Sequence, residues 1–177
     1  MNYHKIDDFS ITDGIGARVV FWVSGCTMRC KGCHNPETWA FDSGKLFDET
    51  AKEELFEALD KPYIRGITFS GGHPLEDENI LCVYELIQEI KEKYPNKDIW
   101  LYTGYTLDMN DFDNVANNIR SCLLSMCDVV VDGRYIEEQR DITLLFCGSR
   151  NQRLIDVKKT IKNGEIVQWR EEWNFRR

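Results

Sequence analysis

Four short apolar runs, Ala17–Ser24, Gly66–Ser70, Asp98–Thr103 and Asp128–Gly133, alternate with longer stretches whose apolar residues recur at helical spacing. Runs this short and this rich in β-branched and aromatic residues suit strands buried on both faces. The stretches between them suit helices. Asp48 is placed to cap a helix to Asp60 with Leu55, Phe56 and Leu59 on one face. A second helix is expected from Glu76 to Lys93, carrying Ile80, Tyr84, Ile87 and Ile90, and Pro95 follows its end. A third is expected over Asp111 to Leu124, with Phe112, Val115, Ile119, Cys122 and Leu123 inward. Beyond that, Asn163-Gly164 between Val157 and Trp169 reads as a β-hairpin turn. Strand–helix alternation predicts an α/β fold with a mostly parallel sheet, which right-handed crossovers curl toward a partial, open β/α barrel. No repeat or linker interrupts residues 1–177, so a single domain is expected.

In such a fold, segments that follow strands gather at one edge of the sheet, where sites are built. Here those segments are a cysteine-rich loop, Gly71-Gly72, Thr103-Gly104 and Asp132-Gly133. The loop holds Cys26, Cys30 and Cys33 in a C-x3-C-x2-C spacing directly after the first strand. Three thiolates so close together hold three corners of an iron–sulfur cube and leave the fourth iron open to a ligand. A structural zinc with His34 as fourth ligand competes with this reading. Against it, the adjacent Cys33 and His34 must both bend back on one ion, and no second C-x2-C knuckle follows.

Composition narrows the function classes. The net charge of −8 speaks against a nucleic-acid surface, which calls for a basic patch. The longest apolar run, Val19–Val23, is too short to span a bilayer, and acidic residues stand where a secretion signal needs an apolar segment. No membrane partner and a cytoplasmic location are therefore expected. Seven cysteines, three of them in one loop, fit a metal site better than a disulfide framework. Cys82, Cys122 and Cys127 fall in apolar patterns and read as core.

The cysteine loop followed by Gly71-Gly72-His73-Pro74 resembles the radical S-adenosylmethionine superfamily. More narrowly, Trp22–Cys26, Cys33–Trp39, Asp98–Tyr105, Val131–Tyr135 and Gly148–Arg153 resemble, in order, the activases of anaerobic ribonucleoside-triphosphate reductase. The likeness is strongest over residues 1–155, and the 156–177 tail is less regular. It implies a radical S-adenosylmethionine barrel in which Cys26, Cys30 and Cys33 bind a 4Fe–4S cluster. On the same likeness, the open iron would take the amine and carboxylate of S-adenosylmethionine. One electron from the reduced cluster would then yield methionine and a 5′-deoxyadenosyl radical, which in the family removes a glycine α-hydrogen from the large reductase subunit. Flavodoxin or a similar low-potential donor is the implied reductant.

The resemblance also implies cofactor contacts at Gly32, Cys33, His34, Gly71, Gly72 and His73. His34 stands where the family often has an aromatic residue against adenine. His73 departs from the family's usual acidic residue, and a neutral imidazole is expected to accept from the cofactor's amine in its place. Asp13-Gly14-Ile15-Gly16 with Arg18 resembles the family's N-terminal Gly-x-Gly-x-Arg stretch. An activase of another glycyl-radical enzyme, such as pyruvate formate-lyase, shares the cysteines and the chemistry; those chains tend to be longer. A non-catalytic zinc module for protein interaction is the alternative from a different class.

Overall fold

In a computed structural model, which describes residues 1–113, 116 and 118–170, the four apolar runs lie side by side as parallel strands. They are β2 (Arg18–Val23), β4 (Gly66–Gly71), β5 (Asp98–Tyr102) and β6 (Val129–Asp132), after β1 (Asn2–Ser10) and β3 (Lys45–Leu46) and before β7 (Arg153–Asp156) in one sheet. The spatial order is β3-β1-β2-β4-β5-β6-β7. β2, β4, β5 and β6 pair parallel, while β1, β3 and β7 are antiparallel additions at the edges. The fold is thus α/β with a mixed, largely parallel open sheet, and its antiparallel strands were not anticipated from the sequence.

The register aligns the apolar residues across strands: Phe21 pairs with Phe69, Phe69 with Leu101, and Leu101 with Val130. Together with Val19, Ile67 and Ile99 they form the sheet face buried under the helices. Those helices are α1 (Glu49–Asp60), α2 (Asp77–Lys93), α3 (Asn110–Asp113), α4 (Ile119–Met126) and α5 (Val157–Asn163). Leu55 and Leu59 of α1, Ile87 and Ile90 of α2, and Leu123 and Leu124 of α4 are buried in the same cluster. Alternate strand residues face the other way. Trp100, Val129 and Val131 make a smaller cluster there with Ile15, Phe146 and Trp169. Loops cover that second face, and they leave a cavity.

Two expectations are corrected. Asn163-Gly164 does not turn a hairpin: α5 runs to Asn163, with Asp156 accepting from Lys159 N–H at 3.0 Å at its start and Gly164 (φ 68°) closing it. Asn-Gly suits both structures because each needs a residue at positive φ. The helix expected over residues 111–124 is divided, since Asn118 caps a new helix by accepting from Arg120 N–H at 2.9 Å. Phe112 and Leu123 are buried, whereas Ile119 is exposed and Cys122 half-buried; Val115 lies outside the described residues.

Arg18 is fully buried at the start of β2. It pairs with Asp98, donates to Thr68 Oγ1 at 2.9 Å and to the Ile67 carbonyl at 2.8 Å, and lies over the Trp100 ring. The Thr68 hydroxyl in turn donates to the Asp13 carbonyl at 2.8 Å. This network ties the Asp13–Gly16 stretch to the sheet across β2, β4 and β5.

Candidate functional site

β2 ends at Val23, and Gly25 (φ 97°) turns the chain out of the strand into the cysteine loop. A β-carbon there would run into the Phe41 ring, so dihedral and space both demand glycine. The loop is closed at its base: Gly25 N–H donates to the Thr38 carbonyl at 2.8 Å and Cys26 N–H to the Trp39 carbonyl at 3.0 Å. Between the first two cysteines Arg29 takes φ 43°, a conformation few non-glycine residues adopt. Cys33 N–H donates to the Cys30 carbonyl at 3.1 Å, and Asn35 N–H donates to Cys33 Sγ at 3.4 Å. Backbone donors aimed at sulfur are a recurring feature of iron–sulfur sites, where they tune the cluster. Burial pushes the Cys26 thiol up, and the N–H groups of Met28 and Arg29 act in the opposite direction.

Cys26, Cys30, Cys33, Gly32, His34, Gly71, Gly72 and His73 all line one cavity of about 890 Å³. That size lies within the range of small-molecule sites, about 300–1,000 Å³. Thr103, Gly104 and Gly133 line it too, so the ends of β2, β4, β5 and β6 contribute to one site. The three cysteines share the wall. Among the described residues, no three His, Cys, Asp or Glu side chains close on a point as ligands of one ion do. Cys147 also faces this space, and burial pushes its thiol up to about 11. Cys127 is buried as expected, while Cys82 is only half-buried.

Gly71 (φ 98°) and Gly72 carry the chain from β4 back across the cysteine loop. Gly72 N–H donates to the Val23 carbonyl and His73 N–H to the Gly25 carbonyl, each at 2.8 Å. His73 is engaged through both ring nitrogens. It is 2% exposed, with Nδ1 at 3.2 Å from Glu76 Oε1 and Nε2 at 2.8 Å from Thr103 Oγ1. A carboxylate only accepts, so the network assigns the proton to Nδ1, and Nε2 accepts from the Thr103 hydroxyl. Thr103 Oγ1 accepts in turn from Tyr105 N–H at 3.2 Å. Burial pushes the His73 imidazole below its ordinary value, against the pull of Glu76, which keeps it neutral near pH 7.

Glu76 and Asn79, which sequence reasoning passed over, complete the arrangement. Glu76 Oε1 accepts from Thr27 N–H and from the Thr27 hydroxyl, both at 2.8 Å. Burial pushes the Glu76 carboxyl up, but the Thr27 donors and His73 outweigh it and hold the group below the usual range. Asn79 Nδ2 donates to the Ser24 carbonyl at 2.9 Å and the His73 carbonyl at 3.2 Å. The available signal was a pair of polar residues three apart, Glu76 and Asn79, on the side of the helix that also carries Ile80 and Val83.

A family model described as a 4Fe–4S single cluster domain matches residues 12–155. Proteins named anaerobic ribonucleoside-triphosphate reductase-activating protein match over most of their length. The one from Vibrio cholerae serotype O1 is 40% identical over 154 residues, 86% of this chain and 96% of that protein. The one from Escherichia coli (strain K12) is 36% identical over the same shares, 86% and 96%. The one from Enterobacteria phage T4 is 39% identical over 87% of this chain and 93% of its own. The chain belongs to this family of activating proteins. The donor set fits its 4Fe–4S cluster: three free thiols rise from one closed loop into one open cavity.

Proposed function

We infer that this chain activates anaerobic ribonucleoside-triphosphate reductase by generating a glycyl radical on its large subunit. The observation that carries the reading is that Cys26, Cys30, Cys33 and the Gly71-Gly72 turn line one cavity at the ends of the parallel strands. Cys26, Cys30 and Cys33 are assigned to three irons of a 4Fe–4S cluster. Gly32, Cys33, His34, Gly71, Gly72 and His73 are assigned to the surroundings of S-adenosylmethionine. When bound, these two groups supply one-electron reductive cleavage of a sulfonium and the hydrogen abstraction that leaves a radical on glycine.

The chain's own residues place and shelter that chemistry. Gly71 and Gly72 present backbone without side chains, which lets a methionyl group approach closely. His34 is exposed at the cavity wall, where its ring can lie along a purine. The cysteine loop is anchored by Arg134, which donates to the Met28 carbonyl, and by Lys31 paired with Glu138 at 3.0 Å. The open sheet with its helices on one face is read as a partial radical S-adenosylmethionine barrel, one domain over residues 1–177. Its concave face is closed by the reductase when the two proteins meet. Flavodoxin or a similar donor supplies the electron, and the protein works in the cytoplasm; no helix of the described residues is long and apolar enough to cross a membrane.

The test is to mix anaerobically reconstituted protein, a low-potential reductant and S-adenosylmethionine with the reductase, then record the electron paramagnetic resonance spectrum. A glycine-centred doublet on the reductase is expected. A doublet on pyruvate formate-lyase but none on the reductase would assign the chain to the other activase class.

A further inference from the structure

We propose that Glu76 is a positioning residue for the cluster-binding loop, and that with His73 it braces Cys26 against the Gly71-Gly72 turn. The proposal rests on the cluster reading above. Glu76 occupies the position that precedes α2, where a polar side chain ordinarily caps the helix, yet it makes no capping bond. Its carboxylate is turned instead to Thr27, the residue after Cys26, and takes both donors Thr27 offers. The same oxygen receives His73 Nδ1, and His73 Nε2 engages Thr103 just beyond β5. Glu76 is 6% exposed and His73 2%, so the bonds joining Glu76, His73 and Thr103 are shielded from water, while Thr27 stands exposed at the outer end of the path.

The bonds form one continuous path from the cysteine loop, through the first turn before α2, to the end of β5. Asn79, 1% exposed, adds a second arm by holding the Ser24 and His73 carbonyls. Ser24 and Thr27 flank Gly25 and Cys26, so one helical turn grips the start of the loop on both sides. A buried carboxylate that fixes the residue beside a metal ligand does the work of an outer-shell partner, which orients the ligand without touching the metal. His73 is therefore part of this brace through both ring nitrogens.

Three measurements on anaerobically reconstituted full-length protein test this: iron release to a chelator, the spectrum of the reduced cluster without S-adenosylmethionine, and S-adenosylmethionine affinity per loaded cluster. Glu76→Ala is expected to release iron about tenfold faster than wild type, since losing an outer-shell partner weakens metal sites by roughly 10–100-fold. Glu76→Gln, which keeps an acceptor oxygen, is expected to restore most of the retention. Thr27→Val removes only the hydroxyl bond at an exposed position and gives a folded variant with intermediate release. His73→Ala is expected to speed release as well, and Glu76→Ala to leave cofactor affinity per loaded cluster near wild type.

Unchanged release and an unchanged cluster spectrum in both Glu76→Ala and Thr27→Val would overturn the brace. So would His73→Ala with iron retention equal to wild type. Wild-type protein that takes up no iron would fail the cluster reading itself and the brace with it. A loaded wild type with unaltered variants fails the brace alone.

Discussion

Gly72 shows how tightly single positions are specified around the cavity. A β-carbon there would stand 2.5 Å from the Gly25 carbonyl oxygen, which is backbone and cannot swing aside. Gly72→Ala must therefore push the turn away from the cysteine loop. The expected outcome is less than about half the wild-type iron per chain after reconstitution, with a stability loss of about 1–3 kcal/mol. Iron assay and urea denaturation of the apoprotein measure the two effects separately. The cysteines and the paired glycines were legible in the sequence because their chemistry is local: spacing within one loop and an absent side chain speak for themselves. Glu76 was not, because its partner Thr27 lies 49 positions away. The partners of His73 were hidden for a related reason. Only the folded turn brings Glu76 and Thr103 to its two nitrogens.

Among the secondary-structure elements, the buried parallel strands were readable and the edge strands were not. β2, β4, β5 and β6 are covered on both faces and so carry near-continuous apolar runs. β7 at the sheet's edge and β1, which pairs with β3 only at Asn2 and Tyr3, hold charged residues such as Lys5, Asp7, Asp8, Arg153 and Asp156, so neither carries a continuous apolar run. Asp98 links the two kinds of information. It begins β5, pairs with the fully buried Arg18, and holds Arg65 at 2.7 Å. Asp98→Asn leaves the buried guanidinium without its counter-charge. A loss of about 3–5 kcal/mol is expected, read as a lower urea midpoint with an unchanged slope. A loss below about 1 kcal/mol, the range of a surface pair, would show that Arg18 is held by its neutral acceptors instead.

Across the chain as a whole, the two faces of the sheet divide the labour. One face is packed under α1, α2 and α4 and stabilises the fold. The other carries the Trp100 cluster, the covering loops and the cavity. Ile142 and Leu145, in the segment that rims the cavity, are 83% and 61% exposed. Strand–helix order made the gathering of strand ends at one edge foreseeable, whereas the loops that shape the cavity follow no periodic pattern. The account stands on a cluster with one iron free to bind the cofactor. Electron paramagnetic resonance of the anaerobically reconstituted, reduced protein, recorded before and after adding S-adenosylmethionine, addresses that iron directly. The expected result is a cluster signal whose g-values shift on addition, in protein containing about four irons per chain. A signal indifferent to S-adenosylmethionine, or colourless protein holding a single zinc, would contradict it.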